Sequence, residues 1–229
     1  ESWVRTNEDH DIAIRPFYYT EVAADPDNPD RVYNIASRLS VSTDRGKTFE
    51  FNPVIDCCEA SNTIHIDIHS LWINPQDSRH LIVGNDGGIA ISRDRGATWR
   101  YVRNLRSEER FSRNAETVAS SRMPYAGLKK HRRWPWFFES GGPGSGMYIS
   151  WDGGASWKQK TEDDGLPSGD LGRITFSPSP AQRGRVYALA EAEKSAMLRS
   201  DDGGESWVRT NEDHDIAIRP FYYTEVAAD

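Results

Sequence analysis

The sequence predicts an all-β fold: a β-propeller of four-stranded antiparallel blades, with duplicated terminal strands. Three observations carry that prediction. The octapeptide Ser-x-Asp-x-Gly-x-x-aromatic occurs four times, as STDRGKTF (42–49), SRDRGATW (92–99), SWDGGASW (150–157) and SDDGGESW (200–207). Successive copies start 50, 58 and 50 residues apart, a period at which repeat architectures stack one supersecondary unit on the next. No segment sustains a 3.6-residue apolar period with helix caps.

Each octapeptide reads as a hairpin turn. Its Asp accepts hydrogen bonds from backbone N–H groups across the turn. Its Gly takes a backbone conformation that a side chain would oppose. Its aromatic residue starts the next strand and packs inward. A short apolar stretch precedes each copy: LSVS, GIAIS, GMYIS and AMLRS. Earlier in each unit a Pro-rich turn joins two β-rich runs, as in ADPDNPDRVYNI (24–35), INPQDSRHLIVG (73–84) and FSPSPAQRGRVYAL (176–189), with a shortened version in SSRMPYAGL (120–128). The unit is therefore strand, Pro-rich turn, strand, loop, strand, Asp turn, strand, which is a propeller blade. The chain reads as one domain, 1–229, with blades at roughly 13–52, 64–103, 115–160 and 171–210. Residues 205–229 repeat residues 1–25 without a difference. Two copies competing for one position predict a homo-oligomer by strand exchange.

Composition bounds the function classes. The 229 residues are 37% hydrophobic and 28% charged, with eight Trp and nine Tyr, so the chain can build a packed core. A net charge of -7 gives no global field for nucleic acid or an anionic membrane; the basic run KKHRR (129–133) is local. No apolar run is long enough to span a bilayer, and residue 1 opens no signal peptide. Cys57 and Cys58 are adjacent and form no disulfide framework.

The octapeptides resemble Asp-boxes, also called bacterial neuraminidase repeats, found in sialidases, other glycoside hydrolases and the sortilin-type propeller. Longer stretches resemble large bacterial proteins of the sortilin-like or "glycosyl hydrolase" type: HSLWINPQDSRHLIVGNDGGIAISRDRGATW, HRRWPWFFESGGPGSGMYISWDGGASW and RVYALAEAEKSAMLRSDDGGESW. The resemblance implies a propeller fold, hydrolase-like or ligand-binding activity, and a secreted or periplasmic location. It weakens over 106–121. A sialidase Arg-Ile-Pro motif is missing, so sialidase chemistry is not implied.

Propeller ligands bind at the channel mouth, among loops entering the innermost strands and loops joining the middle strands. HIDIH (65–69) leads into one such strand. If it is extended, His65, Asp67 and His69 share a face, a donor set suited to Zn²⁺ or another divalent metal; the alternative is a hydrogen-bonded His–Asp pair lining the channel. GNDGG (84–88) joins the middle strands of that blade, and Asp86 there reads as a general base or as a plain Asp-Gly turn. KKHRRWPWFFESGGPG (129–144) mixes cations and aromatics. Arg132, Arg133 and Trp134 suit a sugar face with an anionic group, and Glu139 an acid or base, unless the rings only cap the propeller. Arg173, Glu191 and Tyr18 stand at comparable loop positions. Catalytic carboxylates are thus drawn from Asp67, Asp86, Glu139 and Glu191.

Two functions follow. One is a hydrolase with a metal-assisted site acting on a sugar-derived or anionic substrate. The other is a non-catalytic propeller for glycans or peptides. A propeller piece with only promiscuous activity is a third reading. The partner is a small molecule or glycan, without nucleic acid or membrane.

Overall fold

The computed structural model describes residues 3–13, 20–55, 64–102, 113–118, 124–134, 136–217 and 226–228, with side chains omitted at 113–118, 130–134, 135 and 137–139. It is all-β. Among the described residues there is no α-helix, only three short 3₁₀ turns.

Four antiparallel sheets follow one another along the chain. The first is β1 (Glu21–Asp25), β2 (Asn28–Ile35), β3 (Leu39–Ser42) and β4 (Glu50–Phe51). The second is β5 (Ile68–Ile73), β6 (Leu81–Asn85), β7 (Gly88–Ser92) and β8 (Arg100–Tyr101). The third holds β9 (Arg113–Val118), β10 (Tyr125–Trp134), β11 (Phe137–Ser140), β12 (Gly146–Ile149) and β13 (Lys158–Lys160). The fourth is β14 (Ile174–Pro178), β15 (Val186–Ala190), β16 (Ala196–Ser200) and β17 (Val208–Asn211). In three sheets each strand pairs with its chain neighbour, which is the up-and-down order of a propeller blade.

The third sheet departs from the four-strand expectation. Its β10 runs ten residues. Tyr125–Leu128 pair with β12, while His131–Trp134 run past the blade and pair with β11. The cation–aromatic insertion is thus a projecting β-hairpin, built from β-prone Trp and Phe beside Arg.

Three apolar clusters join the sheets in sequence. Tyr33, Ile35 and Leu39 of the first sheet pack on Ile68, Leu81, Val83 and Ala90 of the second. Trp72, Ile82, Ile89 and Ile91 on the second sheet's other face meet Ala126, Leu128 and Tyr148 of the third. Tyr125, Met147 and Ile149 then meet Ile174, Phe176, Ala188 and Leu198 of the fourth. Alternate residues of one strand serve opposite interfaces, as the period of two requires. Trp72 and Tyr125 are fully buried, so truncating either to Ala would cost about 3–5 kcal/mol.

The four octapeptide turns share one hydrogen-bond scheme. In the second, Ser92 Oγ donates to Asp94 Oδ1 at 2.8 Å and accepts from Gly96 N at 2.7 Å. Asp94 also accepts from Thr98 N at 2.8 Å and Thr98 Oγ at 2.5 Å. The same bonds recur around Asp44, Asp152 and Asp202. The seventh position is Thr or Ser in every copy, a constraint beyond the Ser-Asp-Gly-aromatic signature. At Asp44, hydrogen bonds from the Thr48 N–H and hydroxyl hold the carboxyl pKa at about 2. At Asp152 and Asp202, burial works to raise the pKa, and the surrounding hydrogen bonds outweigh it, again giving about 2.

These turns also lock neighbouring sheets. Gly204 has a left-handed φ of 91°, and a Cβ there would meet Ile149 Cδ1 at 2.5 Å and Tyr125 at 2.9 Å. Tyr125 OH donates to Gly203 O at 3.0 Å. The second, third and fourth turns are therefore joints between their own sheet and the one before: Asn52 Nδ2 also donates to Gly96 O at 2.7 Å and Arg93 Nη2 to Gly153 O at 3.3 Å.

Candidate functional site

The strand order places the described site segments at the end of the sheets opposite the octapeptide turns. In the second sheet that end carries the approach to β5 and the β6–β7 turn, since Ile68 pairs with Asn85 and Asn85 with Gly88. In the fourth it carries Arg173 and Glu191, flanking the paired Ile174 and Ala190. In the third it carries the β10–β11 hairpin.

HIDIH is not one extended run. Strand β5 begins at Ile68, and Asp67 has a left-handed φ of 59°, a conformation Asp tolerates better than most residues. Its N–H donates to Ser37 O at 2.7 Å, tying this corner to the first sheet. The reversal at Asp67 removes the common face that extension would give His65, Asp67 and His69. His65 Nδ1 lies 2.7 Å from the Ile66 carbonyl. Among the described residues no group of three or more His, Cys, Asp or Glu has the arrangement to hold a metal ion. The donors present here therefore do not fit the three-ligand centre expected of them. Cys57 and Cys58 lie outside the described residues.

The pairing expected as the alternative is formed, with a different carboxylate. His69 Nε2 lies 2.5 Å from Asp86 Oδ1. A carboxylate only accepts, so the imidazole presents Nε2–H to it. The His69 side chain is 7% exposed and that of Asp86 33%: the imidazole is a buried prop and the carboxylate reaches solvent. Asp86 and Gly87 form the two-residue hairpin loop between β6 and β7. Fully buried Asn85 fixes it, accepting from Gly87 N at 2.8 Å and donating to His65 O at 3.1 Å. Tyr101 OH accepts from His65 N at 2.5 Å. Burial raises the Tyr101 pKa, opposed by that backbone bond and by Asn85, so the phenol stays neutral. A Cβ at Gly87 would stand 2.6 Å from Tyr101 OH, which is why the loop needs glycine there. Tyr101 carries no motif that would have singled it out in the sequence.

Glu191 is committed elsewhere. Its Oε2 accepts from Ser140 Oγ at 2.8 Å and Arg173 N at 2.7 Å. It thus ties the β10–β11 hairpin to the fourth sheet. Ser140 was not among the predicted residues. Arg132, Arg133 and Trp134 lie on β10 and Glu139 on β11, where register pairs Arg132 with Glu139. Between them Trp136 is 82% exposed. Tyr18 lies outside the described residues. The structure brings together His69 with Asp86, and Glu191 with Arg173; Asp67 stands apart at the corner with Ser37.

No protein-family model matches the chain. An oligoxyloglucan-reducing end-specific xyloglucanase of Emericella nidulans is 28% identical over 172 residues, covering 69% of this chain and 20% of that protein. The crystal structure of the GH74 xyloglucanase of Xanthomonas campestris superposes with a TM-score of 0.61 at 18% identity, covering 86% of this chain and 31% of the other. The GH74 enzyme of Niastella koreensis gives 0.55 at 16%, covering 82% and 28%. The chain thus spans about a fifth of the curated relative's length and under a third of either solved chain. What the likenesses show is the fold, a β-propeller.

Proposed function

We infer that the end of the sheets opposite the octapeptide turns is a sugar-chain site of glycoside-hydrolase type, with Asp86 as its working carboxylate. The observation that carries this is the His69–Asp86 pair: a solvent-reaching carboxylate held by a buried imidazole at 2.5 Å. The xyloglucanase likeness supports a neutral glucan chain of the xyloglucan class as first substrate. The octapeptides serve as Asp-boxes, that is, as joints rather than as chemistry.

In this reading Asp86 takes a proton from water as the water oxygen bonds to the anomeric carbon. The glycosidic C–O bond breaks, and a second carboxyl group gives its proton to the leaving oxygen. Asp67 and Glu139 are the candidates for that second group, since Glu191 already accepts two hydrogen bonds. Trp136, with Trp134 on the same hairpin, offers an aromatic platform for a sugar ring. An anionic substrate, the alternative to a neutral one, would instead engage Arg132, Arg133 and Arg173, with Tyr18 as a further contact. No step runs through a metal; Zn²⁺ remains a proposal for His65, Asp67 and His69 only with further donors.

The test is reducing-end release from xyloglucan oligosaccharides. Asp86→Asn is expected to lower turnover about 100-fold or more while oligosaccharide binding, read by calorimetry, persists. Unchanged turnover in that variant would remove Asp86 from the chemistry. A second reading, a non-catalytic glycan-binding propeller, is favoured by the structural engagement of Glu191. It expects binding without turnover, lost in Trp136→Ala.

A further inference from the structure

The 25-residue repeat places one sequence in two environments. Trp207 is 4% exposed in the fourth sheet's core, whereas its twin Trp3 is fully exposed; Val208 is 59% and its twin Val4 78% exposed. The N-terminal copy nevertheless has a definite seat. Asn7 Nδ2 donates to Lys47 O at 2.7 Å, at the residue after the turn glycine Gly46. Lys160, ending the third sheet's outermost strand, donates to Glu205 O at 2.6 Å, at the residue after Gly204. Thr6 Oγ1 lies 3.3 Å from a Cβ built on Gly46, as Asn52 of the first sheet lies 2.9 Å from one built on Gly96. Residues 6–7 therefore occupy, on the first sheet, the place that a preceding sheet's outermost strand takes on the sheets that follow. Their twins, Thr210 and Asn211, are in just such a strand, β17.

The two margins of that flank are exposed where those of its counterpart are covered, while Asn34 and Ser40 between them are buried. Register aligns the row Val22–Asn34–Ser40–Phe51 of the first sheet with Leu71–Val83–Ala90–Tyr101 of the second. Leu71, Val83, Ala90 and Tyr101 pack on the sheet before them. Val22 is 71% and Phe51 39% exposed, and among the described residues no fifth sheet covers them. At the other flank of the molecule, beyond β17, the C-terminal copy meets the fourth sheet where Ala228 N donates to Ser177 Oγ at 2.7 Å.

We propose that these flanks join a second copy of this chain head to tail, the fourth sheet of one molecule against the first sheet of the next. The occupant is specified by sequence identity. The incoming β17 carries Asn211 to the Lys47 carbonyl that Asn7 now caps. The segment that follows it, 225–229, repeats β1 residue for residue, so it can replace Glu21–Asp25 on β2 in the same register. The contacts described for the N-terminal copy are open to the incoming one, and the added gain is apolar cover for Phe51 and Val208. This proposal is independent of the sugar site.

The experiment is sedimentation equilibrium of the full chain over a concentration series, with two variants of the same residue pair. Ala227 is exposed in its own chain, whereas its twin Ala23 packs against the first core cluster. Ala227→Asp is expected to leave the monomer folded and raise the association Kd at least about tenfold, because the carboxylate would be buried on entering the partner. Ala23→Asp damages only the molecule's own β1, so an incoming wild-type segment fills the position and association is retained or tightened. A chain that stays monomeric throughout, or an Ala227→Asp Kd equal to that of the wild type, overturns the proposal. If Ala23→Asp fails to fold, Ala227→Asp alone decides it.

Discussion

At one end of the four sheets, near-identical octapeptides build near-identical joints; at the other, four different loops build four different corners. The turn end repeats because each Ser-x-Asp-x-Gly-x-Ser/Thr unit closes its own hydrogen bonds before it meets a neighbour. The opposite end does not repeat because its contacts are between elements: Asp67 to Ser37, His69 to Asp86, Glu191 to Ser140. The turn end is built of joints, and the proposed chemistry belongs to the opposite end. Substitutions at the two ends should therefore change different measurements.

The largest stability effect is expected at a turn joint. Gly204→Ala puts a Cβ 2.5 Å from Ile149 in a left-handed backbone, and should cost about 3 kcal/mol or more by strain and overpacking, read by urea denaturation. Its counterpart at the other end, Asp86→Asn, should leave the denaturation midpoint unchanged while turnover falls. A variant at either end that changed both quantities would break the division.

Acid response should also belong to the turn end. His80 packs edge-on against Trp72, with ring centroids 5.2 Å apart, and sits beside Gly153 of the third turn. Burial, then the nearby Arg93 charge, lowers its pKa to about 4. The unfolded imidazole titrates near 6.5, so the unfolded state binds the proton first. Stability is complete above about pH 6.5 and declines as pH falls through about 4. The turn carboxylates with pKa about 2 add a second loss between about pH 4 and 2. His80→Gln should remove the upper phase and keep the lower one, measured as midpoint against pH.

Smaller effects should come from the third and seventh turn positions. Asp202→Asn retains shape but weakens the bonds from Ser200 and Ser206, for about 2 kcal/mol. Thr98→Ala removes one hydroxyl bond to Asp94, for about 1 kcal/mol. Equal losses from the two would mean that the hydroxyl, rather than the carboxylate charge, organises the turn.

The fold was legible because its signals are local. The four octapeptides, the apolar runs before them and the Pro-rich turns of the first, second and fourth units fall where the sheets have turns and strands; residues 120–123 of the third lie outside the described residues. The site was legible only as a set of segments. HIDIH and GNDGG lie at one sheet end, but a metal triad requires extension there, and the left-handed Asp67 interrupts it. The partner of His69 proved to be Asp86, 17 residues on. Glu191 reads as a candidate catalytic carboxylate, and its bond from Ser140, 51 residues before it, follows from no shared pattern.

By itself the sequence determined the strand count of an ordinary blade, the turn chemistry and the existence of two interchangeable 25-residue segments. Each depends on residues within about one turn or strand of one another. Tertiary structure alone decided which carboxylate reaches solvent, which is spent on a clamp, and why Trp3 is bare while Trp207 is buried. Those outcomes depend on which sheet stands next to which. Packing between sheets joins residues through space, and no short-range pattern records it.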